Sequence, residues 1–192
     1  FINKCYETAV VYQKKSVLWQ ERDELTSFLS AIGYQALVSS PEITGTQPCG
    51  LLMQMEKGAC CKAKGPSEPV TLEEDAHLHL FYDLLCQNNP GYFRPDYSAW
   101  LVDFSHRVRH QTANTVLLYR NGVACATAAA LTVADNAVFL GAVSTNPNCR
   151  GRHYASACLR FLCGKYENKR IYLMCKPEKQ LFYEKMGFEK AD

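Results

Sequence analysis

Ala137-Val138-Phe139-Leu140-Gly141-Ala142-Val143-Ser144-Thr145 runs into Asn146-Pro147-Asn148-Cys149-Arg150-Gly151-Arg152-His153-Tyr154-Ala155, and the fold turns on how this stretch is read. The first nine residues form an apolar run of strand length. The Asn-Pro pair marks a loop. From Ala155 to Lys165, Ala155, Leu159 and Leu162 share one face of a helix. A helix that opens straight out of a loop offers unpaired backbone N–H groups at the positive end of its macrodipole, a site for phosphate oxygens. Arg150 and Arg152 bring further positive charge to the same place. Taken alone, this is an anion-binding turn, a feature that many strand-to-helix loops share.

Upstream, Asn121-Gly122 is the pair that a tight hairpin turn prefers, because both positions need positive φ. It joins a strand at Thr115–Tyr119 to one at Val123–Val133, which turns at Ala134-Asp135-Asn136 into the quoted strand. Earlier still, Thr71 and Glu74 have the spacing of a capping box and are expected to open a helix. Leu78, Phe81, Tyr82 and Leu85 form its apolar face, and Asn88 to Gly91 break it. A second helix starts near Pro95 or Asp96, with Tyr97, Trp100, Leu101, Phe104 and Val108 as its apolar stripe. Downstream, Arg170–Cys175 reads as a strand and Glu178–Met186 as a helix closed by Gly187.

The chain has 192 residues, enough for one domain with a good core or for a domain plus a fragment of another. Apolar residues make up 47% and charged residues 21%, with a net charge of +2, which describes a globular protein and not a disordered one. No long basic run supplies the footprint that a nucleic acid demands, so no nucleic-acid partner is expected. No stretch approaches the roughly 20 apolar residues of a membrane span, so no membrane association is expected. The ten cysteines contain no C-x-x-C spacing and read as reduced thiols of a cytoplasmic protein. Residues 1 to 20 lack the pattern of a secretory signal, although a chain opening on Phe1 leaves room for a segment upstream.

Residues 1–65 carry a weak echo of the chain's last elements. Thr8–Tyr12 reads as a strand, Arg22–Ala31 as a helix stopped by Gly33-Tyr34, and Gln35–Ser39 and Leu51–Glu56 as strands. Setting Ile32-Gly33-Tyr34 beside Met186-Gly187-Phe188 also aligns Phe28 with Phe182 and Leu29 with Tyr183. The expected organisation is a partial, catalytically silent unit over 1–65 and a complete domain over 66–192.

Two motifs together make the reading specific. Val143-Ser144-Thr145-Asn146-Pro147 leading to Arg150-Gly151-Arg152-His153-Tyr154-Ala155 resembles the acetyl-coenzyme A motif of the GNAT acetyltransferases, R-x-x-G-x-G or R-x-x-G-x-A. Leu181-Phe182-Tyr183-Glu184-Lys185-Met186-Gly187-Phe188 resembles their second motif, a short helix closing on Gly-Phe, in the family's order and at about its spacing. The resemblance covers residues 70 to 192. It implies an α/β (α+β) fold with a mixed, mostly antiparallel sheet flanked by helices and splayed where coenzyme A enters. The family normally adds two strands after Gly-Phe. With the chain stopping at Asp192, the sheet edge is expected to need a cover, from strands of residues 1–65 or from a second copy in a homodimer.

The resemblance further implies that acetyl-CoA is the cosubstrate and a primary amine of a small molecule, peptide or protein the acceptor. Backbone groups of Val143 and Thr145, flanking Ser144, pair with the pantetheine arm. Arg150, Gly151, Arg152, His153, Tyr154, Ala155 and Ser156 cradle the pyrophosphate. His153 departs from the motif's Gly: harmless if already helical, costly to cofactor affinity if not. The reaction expected is attack of a neutral amine on the thioester. An alkyl amine of pKa about 10.4 must first lose a proton, the oxyanion needs a donor near Val143, and the leaving thiolate needs an acid. Tyr183 stands where many members keep that acid. No carboxylate lies on Ala137–Thr145 to act as base; Asp103, His106 and Glu178 are candidates by proximity only. The missing base and His153 leave open an inactive coenzyme A sensor or scaffold. His106 and His110 have metal-pair spacing but are flanked by Arg107 and Arg109, so no metal is expected. Cys149, beside Arg150 at a helix start, would need a paired His to act as a nucleophile.

Overall fold

Alternation of apolar residues and well-placed turns account for most of the elements formed. The computed structural model describes residues 2–5, 8–11, 19–34, 36–39, 50–88 and 96–191. They fall into two units, Phe1–Cys49 and Gly50–Asp192. The first contains β1 (Ile2–Cys5), β2 (Thr8–Val11), α1 (Trp19–Ile32) and β3 (Ala36–Val38). β2 is central, antiparallel to β1 and parallel to β3. Ala9, Val11 and Leu29 are buried together, and α1 ends at Gly33 with φ +65.

The second unit contains β4 (Leu51–Met55), β5 (Thr71–Glu74), α2 (Leu78–Asn88), α3 (Tyr97–Arg109), β6 (Asn114–Arg120), β7 (Val123–Val133) and β8 (Ala137–Thr145). α4 (Tyr154–Lys165), β9 (Arg170–Cys175), α5 (Gln180–Glu184) and β10 (Glu189–Lys190) complete it. The sheet runs β10-β4-β9-β8-β7-β6-β5, with β8 and β9 parallel and the other neighbours antiparallel. This is the mixed, mostly antiparallel sheet expected. No helix among the described residues is long and apolar enough to cross a membrane.

Both faces of the sheet are covered, which is why its middle strands are apolar on both sides. Val116, Leu118, Ala126, Ala128 and Ala130 pack with Cys158, Leu159 and Leu162 of α4. Leu117 and Ala129 pack on the other face with Phe81, Leu84 and Leu85 of α2 and Phe104 of α3. Alanines along β7 let the helices approach closely from either side. Asp96 accepts a hydrogen bond from the Ala99 N–H at 2.9 Å and so caps α3. Asn121 and Gly122 take φ +50 and +75 in the hairpin turn.

Three expectations need correction. Thr71 and Glu74 do not cap a helix: they lie on β5, paired with Tyr119 and Val116 of β6. Glu74 reaches the Asn114 amide at 2.9 Å and the Lys165 ammonium instead of a helical N–H, and the helix begins at Leu78. The boundary expected at 65/66 falls at 49/50. Its cause is β4, which lies between β9 and β10 in register from Leu51↔Cys175 to Met55↔Ile171 and buries Met53 and Met55 in the core. Strand β4 thus covers the edge of β9 that needed a partner. The last helix is shorter than expected: Pro177–Lys179 forms a 3-10 turn before α5. The helix break expected after Asn88 lies, from residue 89 to 95, outside the described residues.

Candidate active site

Two irregularities between β7 and β8 shape the centre of the sheet. An extra residue of β7 sits between the pairs Ala130↔Leu140 and Thr132↔Phe139. An extra residue of β8 sits between Ala129↔Gly141 and Thr127↔Ser144, where Ala142 has φ +53. A one-residue bulge reverses the facing of every later side chain. Val138 and Leu140 lie in the core beneath α4, and beyond the bulge it is Val143 that packs there. Ala142 packs on the opposite face, and the Ser144 hydroxyl donates to the Leu84 carbonyl of α2 at 3.1 Å.

On its other edge β8 pairs with β9 from Ala137↔Arg170 to Leu140↔Leu173 and no further. β8 itself continues to Thr145 and β9 to Cys175. The two strands therefore part just where the bulge begins, and the end of β8 keeps β7 but loses β9. A cavity of about 580 Å³ opens at this point. Val143, Ser144, Thr145, Arg150, Gly151, Arg152, His153, Tyr154, Ala155, Ser156 and Tyr183 all line it, so every candidate cofactor-binding residue and the candidate acid share one space.

The loop at the cavity's mouth is ordered by its own backbone. The Asn146 side chain accepts from the Asn148 N–H at 3.0 Å over the turn Pro147–Cys149. Gly151 has φ +77 with open space around it, so its conformation rather than crowding calls for glycine. His153 takes the same left-handed region, φ +62 and ψ 21, as the N-cap of α4. Of the two settings open to His153, the non-helical one is found, at a cost of roughly 1–2 kcal/mol for a residue with a Cβ. No side chain caps α4, whose first internal hydrogen bond is Ala157 N–H to the His153 carbonyl at 3.0 Å. The N–H groups of its first turn are thus left for an anion, with Arg150 and Lys179 on the same lining.

Tyr183 reaches the cavity from α5. It is 8% exposed, with Phe182 and Phe188 edge-on to its ring at 5.0 and 5.9 Å between centroids. Burial, reinforced by Cys175, pushes its phenol up to about 12. The group is therefore a proton donor across the neutral range. Gly187 at φ +99 turns the chain so that the Phe188 N–H meets the Tyr183 carbonyl at 3.1 Å.

Several residues escaped the sequence reading. Lys179, Asn88 and Phe182 also line the cavity. Glu68 accepts from the Tyr154 hydroxyl at 2.5 Å and Arg152 at 3.1 Å, and pairs with Arg120 at 2.6 Å. The Tyr154 hydrogen bond, with help from Arg152 and Arg120, holds its carboxyl below the usual range against its partial burial. Nothing local in sequence marks Glu68, because its partners lie 52 to 86 positions away. Asp103 pairs with Arg107 at 3.9 Å, His106 lies 4.3 Å from His110 ring to ring, and Glu178 sits in the 3-10 turn. None of the three lines the cavity. Cys149 does, but its partner is the Cys125 thiol at 3.2 Å rather than an imidazole.

The sequence model described as the acetyltransferase (GNAT) family matches residues 78–188, more than half of the chain. The chain belongs to this family. The domain is that of a GNAT acetyltransferase, an enzyme fold, and solved structures agree on its architecture. A GCN5-related N-acetyltransferase from Kribbella flavida is similar over 95% of this chain and 77% of its own, at 15% identity and a TM-score of 0.64. A predicted acetyltransferase with acetyl-CoA from Clostridium acetobutylicum is similar over 65% and 92%, at 17% identity and 0.55. AAC(6')-Iy, in complex with a bisubstrate analogue carrying CoA, is similar over 65% and 94%, at 22% identity and 0.54. No curated protein matches the sequence.

Proposed function

We propose that this GNAT domain is an acetyl-CoA-dependent N-acetyltransferase whose cosubstrate enters the cavity bounded by the end of β8, the start of α4 and α5, and whose acceptor is a primary amine. The observation that carries the reading is one continuous space. It joins the end of β8 beyond its last pair with β9, an uncapped helix start and a buried phenol. The stretch Val143–Thr145, past the last pair with β9, suits the amides of a pantetheine arm, which a strand edge can meet with backbone hydrogen bonds. The first turn of α4, with Arg150 and Lys179, suits phosphates. Acetyl-CoA supplies an activated acetyl group as a thioester. The neutral amine nitrogen bonds to the acetyl carbon as the C–S bond breaks. Tyr183, kept protonated by its raised pKa, gives its proton to the departing sulfur, and the proton shed by the nitrogen passes through water and restores the phenol. The backbone near Val143, re-aimed by the bulge, donates to the carbonyl oxygen.

The Phe1–Cys49 unit we read as a non-catalytic partial copy of the same fold. Support comes from its strand-helix-strand order and the positive φ shared by Gly33 and Gly187. Its pairing differs, since β2 and β3 are adjacent whereas β4 separates β9 from β10. The eight cysteines of the Gly50–Asp192 unit are free thiols, which fits a reducing, cytoplasmic setting. The alternative is an inactive coenzyme A sensor. A thiol-release assay with acetyl-CoA and a panel of small-molecule, peptide and protein amines separates the two. Coenzyme A release with at least one amine class, reduced in Tyr183→Phe, supports the enzyme; saturable binding without turnover across the panel would favour the sensor.

A further inference from the structure

Residues 56–70 join β4 to β5 as an irregular strap lying along α4 from its last turn to its first. The Gly58 N–H donates to the Glu167 carbonyl at 2.8 Å, just beyond the helix. Cys61 packs against the core cluster that includes Cys163, one turn further on. A Cβ on Gly65 would come within 3.0 Å of the Arg160 guanidinium. At the far end Glu68 meets Arg152, Tyr154 and Arg120. The strap lies outside the region matched by the family, 78–188, and delivers one carboxylate to the loop that borders the cavity.

Glu68 divides its two oxygens among three donors. Oε1 takes the Tyr154 hydroxyl and Arg152 Nη1, and Oε2 takes Arg120 Nε. Tyr154 is the first residue of α4 and fully buried, so its hydroxyl fixes the carboxylate to the rigid part of the fold. The Arg152 side chain is 45% exposed and would otherwise be free to swing into water. Glu68 engages one nitrogen of the guanidinium, leaving further donors for the cavity that Arg152 lines.

We propose that Glu68 is a positioning residue for cosubstrate binding, which aims Arg152 across the start of α4 before the ligand arrives. This rests on reading the cavity as the acetyl-CoA site. Two effects of Glu68 oppose each other. Its charge repels a phosphate, while its grip removes the cost of ordering Arg152 on binding. Arg120 and Arg152 together outweigh one carboxylate, so the local field stays positive, and the titration of Glu68→Gln measures which of the two effects is larger.

Glu68→Gln keeps the shape and removes the charge. The expected result is about tenfold weaker coenzyme A binding by calorimetry. The same factor is expected in kcat/KM for acetyl-CoA, carried by KM, with kcat within about twofold. S-acetylpantetheine, a thioester without phosphates, should show no change, and Glu68→Gln should add nothing in an Arg152→Ala background. A purely structural role would instead lower turnover of both thioesters alike. Unchanged or tighter coenzyme A binding, or equal losses with both thioesters, overturns the proposal. If Glu68→Gln fails to fold, Glu68→Asp, which keeps the charge but cannot span all three donors, decides through the same comparison of thioesters. Wild-type protein that binds no coenzyme A removes both the cavity reading and this inference, whereas wild-type binding untouched by the variants removes only the latter.

Discussion

Burial keeps the Tyr183 phenol protonated well above the pH at which a free tyrosine ionises, since its pKa is pushed up to about 12. A general acid works only while it holds its proton, so a raised value extends activity upward in pH. Wild-type kcat should show no loss assignable to Tyr183 below about pH 11. Tyr183→Phe should lower kcat by about 100-fold with little change in KM for acetyl-CoA, measured by thiol release. His153 makes a second residue-scale case. The departure from glycine is visible in the sequence, but its φ of +62 is not, because that angle is set by how the loop from Cys149 enters α4. His153→Gly should relieve about 1 kcal/mol of backbone strain, partly offset by greater freedom of the unfolded chain. Acetyl-CoA affinity should rise several-fold, and a calorimetric titration of the variant checks it.

Among elements, β8 and α4 were legible to within a residue because strand periodicity, the loop and the helical face are all local signals. The bulge at Ala142 was not, since it exists only in the register against β7. The Thr71…Glu74 error has the same root. A capping box is a pattern of spacing, and pairing with Val116–Tyr119, more than 40 residues on, overrode it. Glu68 likewise acts through partners brought together by the strap. Gly187 belongs to this scale because its φ of +99 closes α5 and sets the Tyr183 backbone. Gly187→Ala should cost about 1 kcal/mol or more in urea unfolding, and should reduce kcat more than coenzyme A affinity, since the phosphate loop is untouched.

For the molecule as a whole, the resemblance gave the fold and the family, while the boundary of the acetyltransferase unit lay hidden in β4. Leu51–Met55 looks like an ordinary strand of the N-terminal region and shows no sign of its place between β9 and β10. Burying Met53 and Met55 contributes on the order of 2 kcal/mol each, a large share of a typical net stability of about 5–15 kcal/mol. A chain of residues 50–192 should therefore unfold cooperatively with near-native near-ultraviolet circular dichroism, and a chain of residues 66–192 should lose both. The central claim, that the space bounded by the end of β8, the start of α4 and α5 is an acetyl-CoA site, is tested most directly by calorimetric titration of the full chain with acetyl-CoA and coenzyme A, beside Arg150→Ala and Tyr183→Phe. The account predicts saturable binding that Arg150→Ala weakens by about tenfold or more and that Tyr183→Phe leaves unchanged. Absence of binding at high concentration, or binding indifferent to Arg150→Ala, would contradict it.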